Sequence, residues 1–194
     1  MVKKNKSEAK SKNEIVDDEM LRANVYSLLG ALLAKAPDAA LLTILDKITA
    51  EDQSDDPMSR AWFCLKEAAR SEKEHVLKQE YYELFVGLGR GELVPYGSWY
   101  ITGYLMEKPL GQLRTDLANL GFSRQDEVHE PEDHVAALCE VMAMLIADKS
   151  QYGYETEKNF FTDHVDNWMY RFFSDLMGLT VPDFTGRLGN WVPG

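Results

Sequence analysis

The chain has 194 residues, 45% of them apolar and 27% charged, a length that fits one sizeable domain or a tightly joined pair, with a core of its own. Lysine and arginine total 21 against 32 acids, a formal net charge of −11, which excludes a free-standing nucleic-acid binder because phosphate neutralisation needs a basic face. Residues 1–13 hold Lys3, Lys4, Lys6, Lys10 and Lys12 against Glu8, a net of +4, so the body carries −11 − 4 = −15.

The basic residues 1–13 have almost nothing to bury and are expected to be a disordered tail, with an all-helical domain over 14–194. From Glu14, Leu21, Val25, Leu28, Leu29, Leu32 and Leu33 recur at helical spacing, with Asp17 and Asp18 in the first turn. Pro37 interrupts, and Leu41, Leu42, Leu45 and Ile48 mark a second helix. A polar loop over 51–56 ends in Asp56-Pro57, an N-cap followed by proline at the first helical position. Ser71 with Glu74 reads as a capping box opening a helix through Tyr81, Tyr82, Leu84 and Phe85.

Residues 87–98 contain Gly87, Gly89, Gly91, Pro95 and Gly97, which predict an irregular joint and a hinge at the first three glycines. Leu110, Leu113, Leu117 and Leu120 mark the next helix, closed by Gly121. Pro131 is expected to start another, with Val135, Leu138, Cys139, Met142, Leu145 and Ile146 as its buried stripe. A long final helix from Thr156 carries Phe160, Phe161, Val165, Trp168, Met169, Phe172, Phe173 and Leu176 and stops at Gly178. No segment alternates as a strand would. The pattern predicts an all-α, bundle-like single domain.

Cys64 and Cys139 form no CxxC pair and read as buried free thiols of a reducing compartment. No apolar segment follows the basic N-terminus, and the longest apolar run, 141–147, is far too short to span a bilayer. The expectation is a cytoplasmic protein without stable membrane insertion. Chemistry is sparsely signalled. The run from Gly87 to Glu92 lacks the dinucleotide pattern and follows a helix, and no phosphate-loop GKS or GKT exists. Glu72-Lys73-Glu74-His75 offers one Glu-x-x-His pair, but a di-iron bundle needs two, so no metal is expected. Pro95-Tyr96-Gly97-Ser98 is not a nucleophile elbow. The chain reads as a non-enzyme.

Aromatics are more informative. Of 21 in the chain, seven fall between positions 81 and 104, including Tyr82, Phe85, Tyr96, Trp99 and Tyr100 around the glycine/proline loop. Tyrosine and tryptophan in such a loop suit an apolar groove with polar edges. Downstream, His129-Glu130-Pro131-Glu132-Asp133-His134 gathers carboxylates that fit either a helix start or a receiver of arginine side chains.

Three blocks together resemble the TorD/DmsD/NarJ family of chaperones for molybdenum-containing redox enzymes. Tyr82-Glu83-Leu84-Phe85-Val86-Gly87 is similar to its aromatic-x-x-Leu-Phe-x-Gly helix end. Pro95-Tyr96-Gly97-Ser98-Trp99-Tyr100 resembles its Pro-Tyr-x-Ser-x-Tyr loop, and Glu130-Pro131-Glu132-Asp133-His134 its Glu-Pro-x-Asp-His signature. The resemblance covers about residues 20–180 and extends to His164 and Trp168 late in the chain. It implies a helical chaperone that binds the twin-arginine signal peptide and the apo form of a molybdopterin-dependent oxidoreductase before export. The client would be a formate dehydrogenase, or a trimethylamine N-oxide or dimethyl sulfoxide reductase. On that implication, the leader binds at Tyr82, Phe85, Pro95, Tyr96, Ser98, Trp99 and Tyr100, with the five aromatic residues supporting its apolar part. Glu130 and Asp133, positioned by Pro131, meet its arginines beside His134. The resemblance further implies no tightly held cofactor, at most weak guanine nucleotide binding, and a monomer or domain-swapped homodimer. The alternative readings are a helical nucleotide-binding or hydrolysing protein and a non-chaperone helical adaptor.

Overall fold

The computed structural model describes residues 6–49, 56–87, 91–125 and 128–179, with side chains from residue 18 onward. Its helices are α1 (Lys6–Ala34), α2 (Ala39–Asp46), α3 (Pro57–Ser71), α4 (Glu74–Tyr81), α5 (Gly97–Thr102), α6 (Lys108–Asn119), α7 (Val135–Ala147), α8 (Lys149–Phe161) and α9 (Asn167–Gly178). Single π-helical turns follow α4 (Tyr82–Val86) and α8 (Thr162–Asp166). Among the described residues there is no strand, only one antiparallel bridge between Tyr96 and His134. The fold is all-α, as the periodicity predicts.

Helix α7 organises the core. Its predicted stripe, from Val135 to Ile146, is at most 1% exposed at each of the six positions. The helix α1 lies along one side of it, burying Leu29, Leu32 and Leu33, while Trp168 and Phe172 of α9 join the same cluster. The Cys139 thiol is buried here and pushed up to about 12 by loss of solvent, so it is an inert packing group. Several ends follow local rules. Asp38 caps α2 through the Leu41 amide at 2.9 Å, and Asp56 caps α3 through Ser59 at 2.8 Å. Past α6, Gly121 takes φ 82°, and Phe122 and Gly121 donate to the carbonyls of Leu117 and Ala118, a Schellman closure.

Several boundaries differ from expectation. Helix α1 is described over Lys6–Ala34, so Asp17 and Asp18, expected in a first turn, sit well inside it. No proline interrupts 6–34, and the first breaker is Pro37. Leu21 is 59% exposed, and Ala23 takes the inward position beside it. Ser71 ends α3 instead of capping α4, whose start has no side-chain cap. Helix α7 starts at Val135, not Pro131, because residues 131–133 form a turn and His134 is the cap. The expected long last helix from Thr156 is divided by the π turn, and α8 reaches back past its expected start to Lys149 across a non-helical Gly153 with φ 71°. Residues 1–5, 50–55, 88–90, 126–127 and those beyond 179 lie outside the described residues.

The glycine-rich joint is built for close approach. The Gly87 amide closes the first π turn on the Tyr82 carbonyl at 2.7 Å, then leaves at φ 58°, ψ 178°, a region essentially confined to glycine. The chain then folds back, and Leu93 donates to the Leu84 carbonyl at 2.9 Å. A Cβ at Gly91 would lie 2.4 Å from that same Leu84 oxygen. Of the expected hinge positions, Gly91 is a packed backbone contact and Gly87 closes the π turn, while Gly89 lies outside the described residues. Gly91→Ala is expected to cost about 1–3 kcal/mol of stability through overpacking against backbone. Urea denaturation reads this, and an unchanged midpoint would contradict the close-approach role.

Candidate functional site

The loop before α5 and the loop before α7 are bound to each other by backbone. Val135 donates to the Pro95 carbonyl and Gly97 to the Asp133 carbonyl, each at 2.9 Å. The Asp133 carboxylate adds a third link, accepting the Ser98 amide on Oδ2 at 2.7 Å. The Tyr96 hydroxyl is hydrogen-bonded to Glu130, and the Tyr96 ring meets the His134 imidazole edge-on, with centroids 5.0 Å apart. Two of the three sequence blocks therefore form one structural unit. The third reaches it through aromatic packing: Phe85 and Tyr100 both touch Phe172, and Tyr100 lies 5.5 Å from Trp168.

The candidate residues divide by exposure. Pro95, Ser98 and Tyr100 are buried, Phe85, Tyr96, Trp99 and Pro131 are half-buried, and Tyr82 and Glu130 are exposed. Asp133 is only 3% exposed. This carboxylate, expected to meet the leader's arginines, commits one oxygen to the Ser98 amide. The other, Oδ1, is buried without a hydrogen-bond partner among the described residues. Glu132 is engaged as well, by Arg114 at 2.8 Å. His134 is buried and accepts the Ala136 amide on Nδ1, which fixes its neutral form with the proton on Nε2. Burial holds its pKa below 6.5, partly offset by Glu130 and Asp133. Burial and the Glu130 hydrogen bond raise the Tyr96 phenol, so it stays a donor at any physiological pH.

Two cavities flank this unit. One, of about 380 Å³, lies between α5, α6 and the start of α9, and its wall includes Asp133, Asp116, Asp163, Ile101 and Trp168. The other, about 540 Å³ and more open, lies along α4 and is bounded by His75, Tyr82 and Val86. Sequence reasoning missed Asp116 and Asp163. His164, noted in the sequence only as a late family position, contacts Asp116 through Nε2 at 2.9 Å, and its carbonyl accepts the Trp168 indole at 2.8 Å. The i,i+4 spacing of His164 and Trp168 was visible, but no local pattern links Asp116 to a residue 48 positions away.

A family described as nitrate reductase delta subunit matches residues 51–174, well over half of the chain. The chain is 27% identical over 174 residues to a Vibrio cholerae protein named Chaperone protein TorD, covering 78% of this chain and 77% of that relative. It is 24% identical over 193 residues to the Aliivibrio salmonicida protein of the same name, covering 93% and 83%. A 90-residue match to the Aliivibrio fischeri protein of that name is 28% identical and covers 45% and 42%.

Two outcomes follow from the geometry. Asp133→Ala strands the buried Ser98 amide and is expected to cost about 1–3 kcal/mol, read by urea denaturation; a neutral substitution would contradict the tie. For His134, the unfolded chain takes up a proton near pH 6.5 while the buried imidazole resists it, so stability is full above that pH and falls below it. His134→Asn keeps an acceptor at the cap and should lose less stability than the parent between about pH 7.5 and pH 5.5. Identical losses would contradict a buried neutral imidazole.

Proposed function

The chain belongs to the nitrate reductase delta subunit family, the TorD/NarJ-type family its three blocks resemble, and from that membership we propose that it is a maturation chaperone for a molybdenum-containing oxidoreductase. It holds the twin-arginine leader of the apo enzyme in the cytoplasm until the molybdopterin cofactor is inserted, and so delays export. No bond is made or broken in this role, in keeping with relatives that are named as chaperones.

The observation that carries the reading is the union of the Pro95–Tyr96 and Glu130–His134 blocks by Tyr96, Ser98 and Asp133. Residues about 35 positions apart build one polar edge beside the aromatic packing of Phe85, Trp99 and Tyr100. A leader joins a cationic segment to an apolar one, and a receptor for it needs carboxylates beside apolar surface. The excess acidity of the body speeds such an encounter. Glu130 and Tyr82 are its exposed contact groups; Ser98, Asp133 and His134 hold the framework. The client we favour is a formate dehydrogenase, on the strength of Gly89-Arg90-Gly91-Glu92-Leu93 and Glu107-Lys108-Pro109-Leu110. The first of these runs is only partly among the described residues.

Titration with a leader peptide of a formate dehydrogenase, and with both arginines replaced by glutamine, tests the reading at two salt concentrations. The twin-arginine peptide should bind more tightly and lose more affinity with salt. Equal, salt-independent binding of both peptides would remove the electrostatic basis of the proposal.

A further inference from the structure

The cavity between α5, α6 and the α8–α9 junction has a composition that the framework around Tyr96 does not explain. Three carboxylates, those of Asp116, Asp133 and Asp163, stand on its wall, and no lysine or arginine lines it. Asp133 is more than nine-tenths buried, and its Oδ1 has no hydrogen-bond partner among the described residues. A buried acceptor without a partner is costly, and such a group points to something that would supply a donor. Asp163 is exposed, and among the described residues no ion pair holds its carboxylate. Asp116 is held by Gln112 and His164, at 3.0 and 2.9 Å, which fixes its position on the wall.

Ile101, Leu113 and Trp168 give the wall an apolar part, beside the neutral polar side chains of Gln112 and Asn167. A metal ion does not suit this arrangement, since no three carboxylate, imidazole or thiol groups among the described residues converge on one point. A guanidinium does. It is planar, weakly hydrated on its faces, and carries five donors spread over a fork wide enough for separated acceptors. At about 380 Å³ the cavity is near the lower end of the range for small-ligand pockets, about 300–1,000 Å³.

Apolar surface continues from the mouth of this cavity. Ile101 belongs to its wall, and the following loop exposes Tyr104 at 70%, Leu105 at 48% and Met106 at 71%. Met106 has φ 60°, an uncommon conformation for a side chain of its size, and its amide donates to the Ser98 hydroxyl at 3.2 Å. Ser98 also donates its own amide to Asp133. The exposed loop is thereby tied to the residue that supplies the unpartnered oxygen.

We infer that this cavity receives one arginine side chain of a bound peptide, with residues 101–106 holding the apolar residues beside it. The inference rests on the leader-binding reading and gives its arginine a site on Asp116, Asp133 and Asp163 rather than on Glu130. A cationic peptide segment next to an apolar one is the occupant that matches an acidic cavity continuous with an apolar loop.

The test is a double-mutant cycle between protein and peptide. Binding of twin-arginine, twin-lysine and twin-glutamine leader peptides is measured for the parent, for Asp163→Asn and for Asp116→Asn/Asp163→Asn. The double variant should bind the arginine peptide about tenfold more weakly and the glutamine peptide unchanged. Lysine should lie between them, since it lacks the fork. Equal weakening for all peptides, or tight arginine binding by the double variant, would overturn the assignment while leaving leader binding itself intact. No arginine preference in the parent would instead overturn the leader reading, and this inference with it. Glu130→Gln serves as the comparison: if it alone abolishes arginine preference, the arginine sits at the outer edge and not in the cavity.

Discussion

Asp133 holds two amides of the opposing loop, Gly97 through its carbonyl and Ser98 through its carboxylate. Everything near the site hangs on that double attachment. It fixes the start of α5 against the start of α7, and through Ser98 it sets the loop that ends at Met106. A charged acceptor in a buried place makes stronger hydrogen bonds than a neutral one, and it also tolerates loss poorly. The tie is therefore both the joint of the framework and its most sensitive point. Tyr96 reinforces it from outside, lying on Glu130 and against His134.

That joint explains why the motif residues are mostly interior. Carboxylates in a signature are easily read as wholly ligand-facing, yet the chain spends one Asp133 oxygen on backbone and keeps Glu130 at the surface. Gly97 fits the same logic: a Cβ there would come within 3.0 Å of the Trp168 indole nitrogen, so a side chain would push α9 away from α5. The Trp168 indole in turn donates to the His164 carbonyl, where the π turn has loosened the helix ladder. Packing around one aspartate thus reaches the wall of the acidic cavity.

Much of the fold was legible because its signals are local. The α7 stripe, the Asp56-Pro57 start of α3 and the Gly121 stop of α6 need only spacing and capping chemistry. Errors arose where a distant contact decides. Nothing around Leu21 shows that Ala23 takes the inward position. Pro131 looks like a first helical residue, but the demands of Pro95 and Gly97 for partners place a turn there and move the cap to His134. Gly91 looked like freedom of movement and is a site of contact with Leu84, because the returning chain is invisible to any local pattern. The candidate site was legible as a set of residues, not as a division of labour. Asp116 and Asp163 carried no signal at all, since they share one cavity wall with Asp133 only through the packing of separate elements.

The central claim is that the face joining the α5 loop to the cavity beneath it receives the leader. Hydrogen–deuterium exchange with and without a twin-arginine leader peptide reads that face directly, because bound segments slow their amide opening. The account predicts slower exchange over 98–106 and 163–168, with α2 and α3 unchanged. Slowing confined to α2 and α3, with none at 98–106, would contradict it.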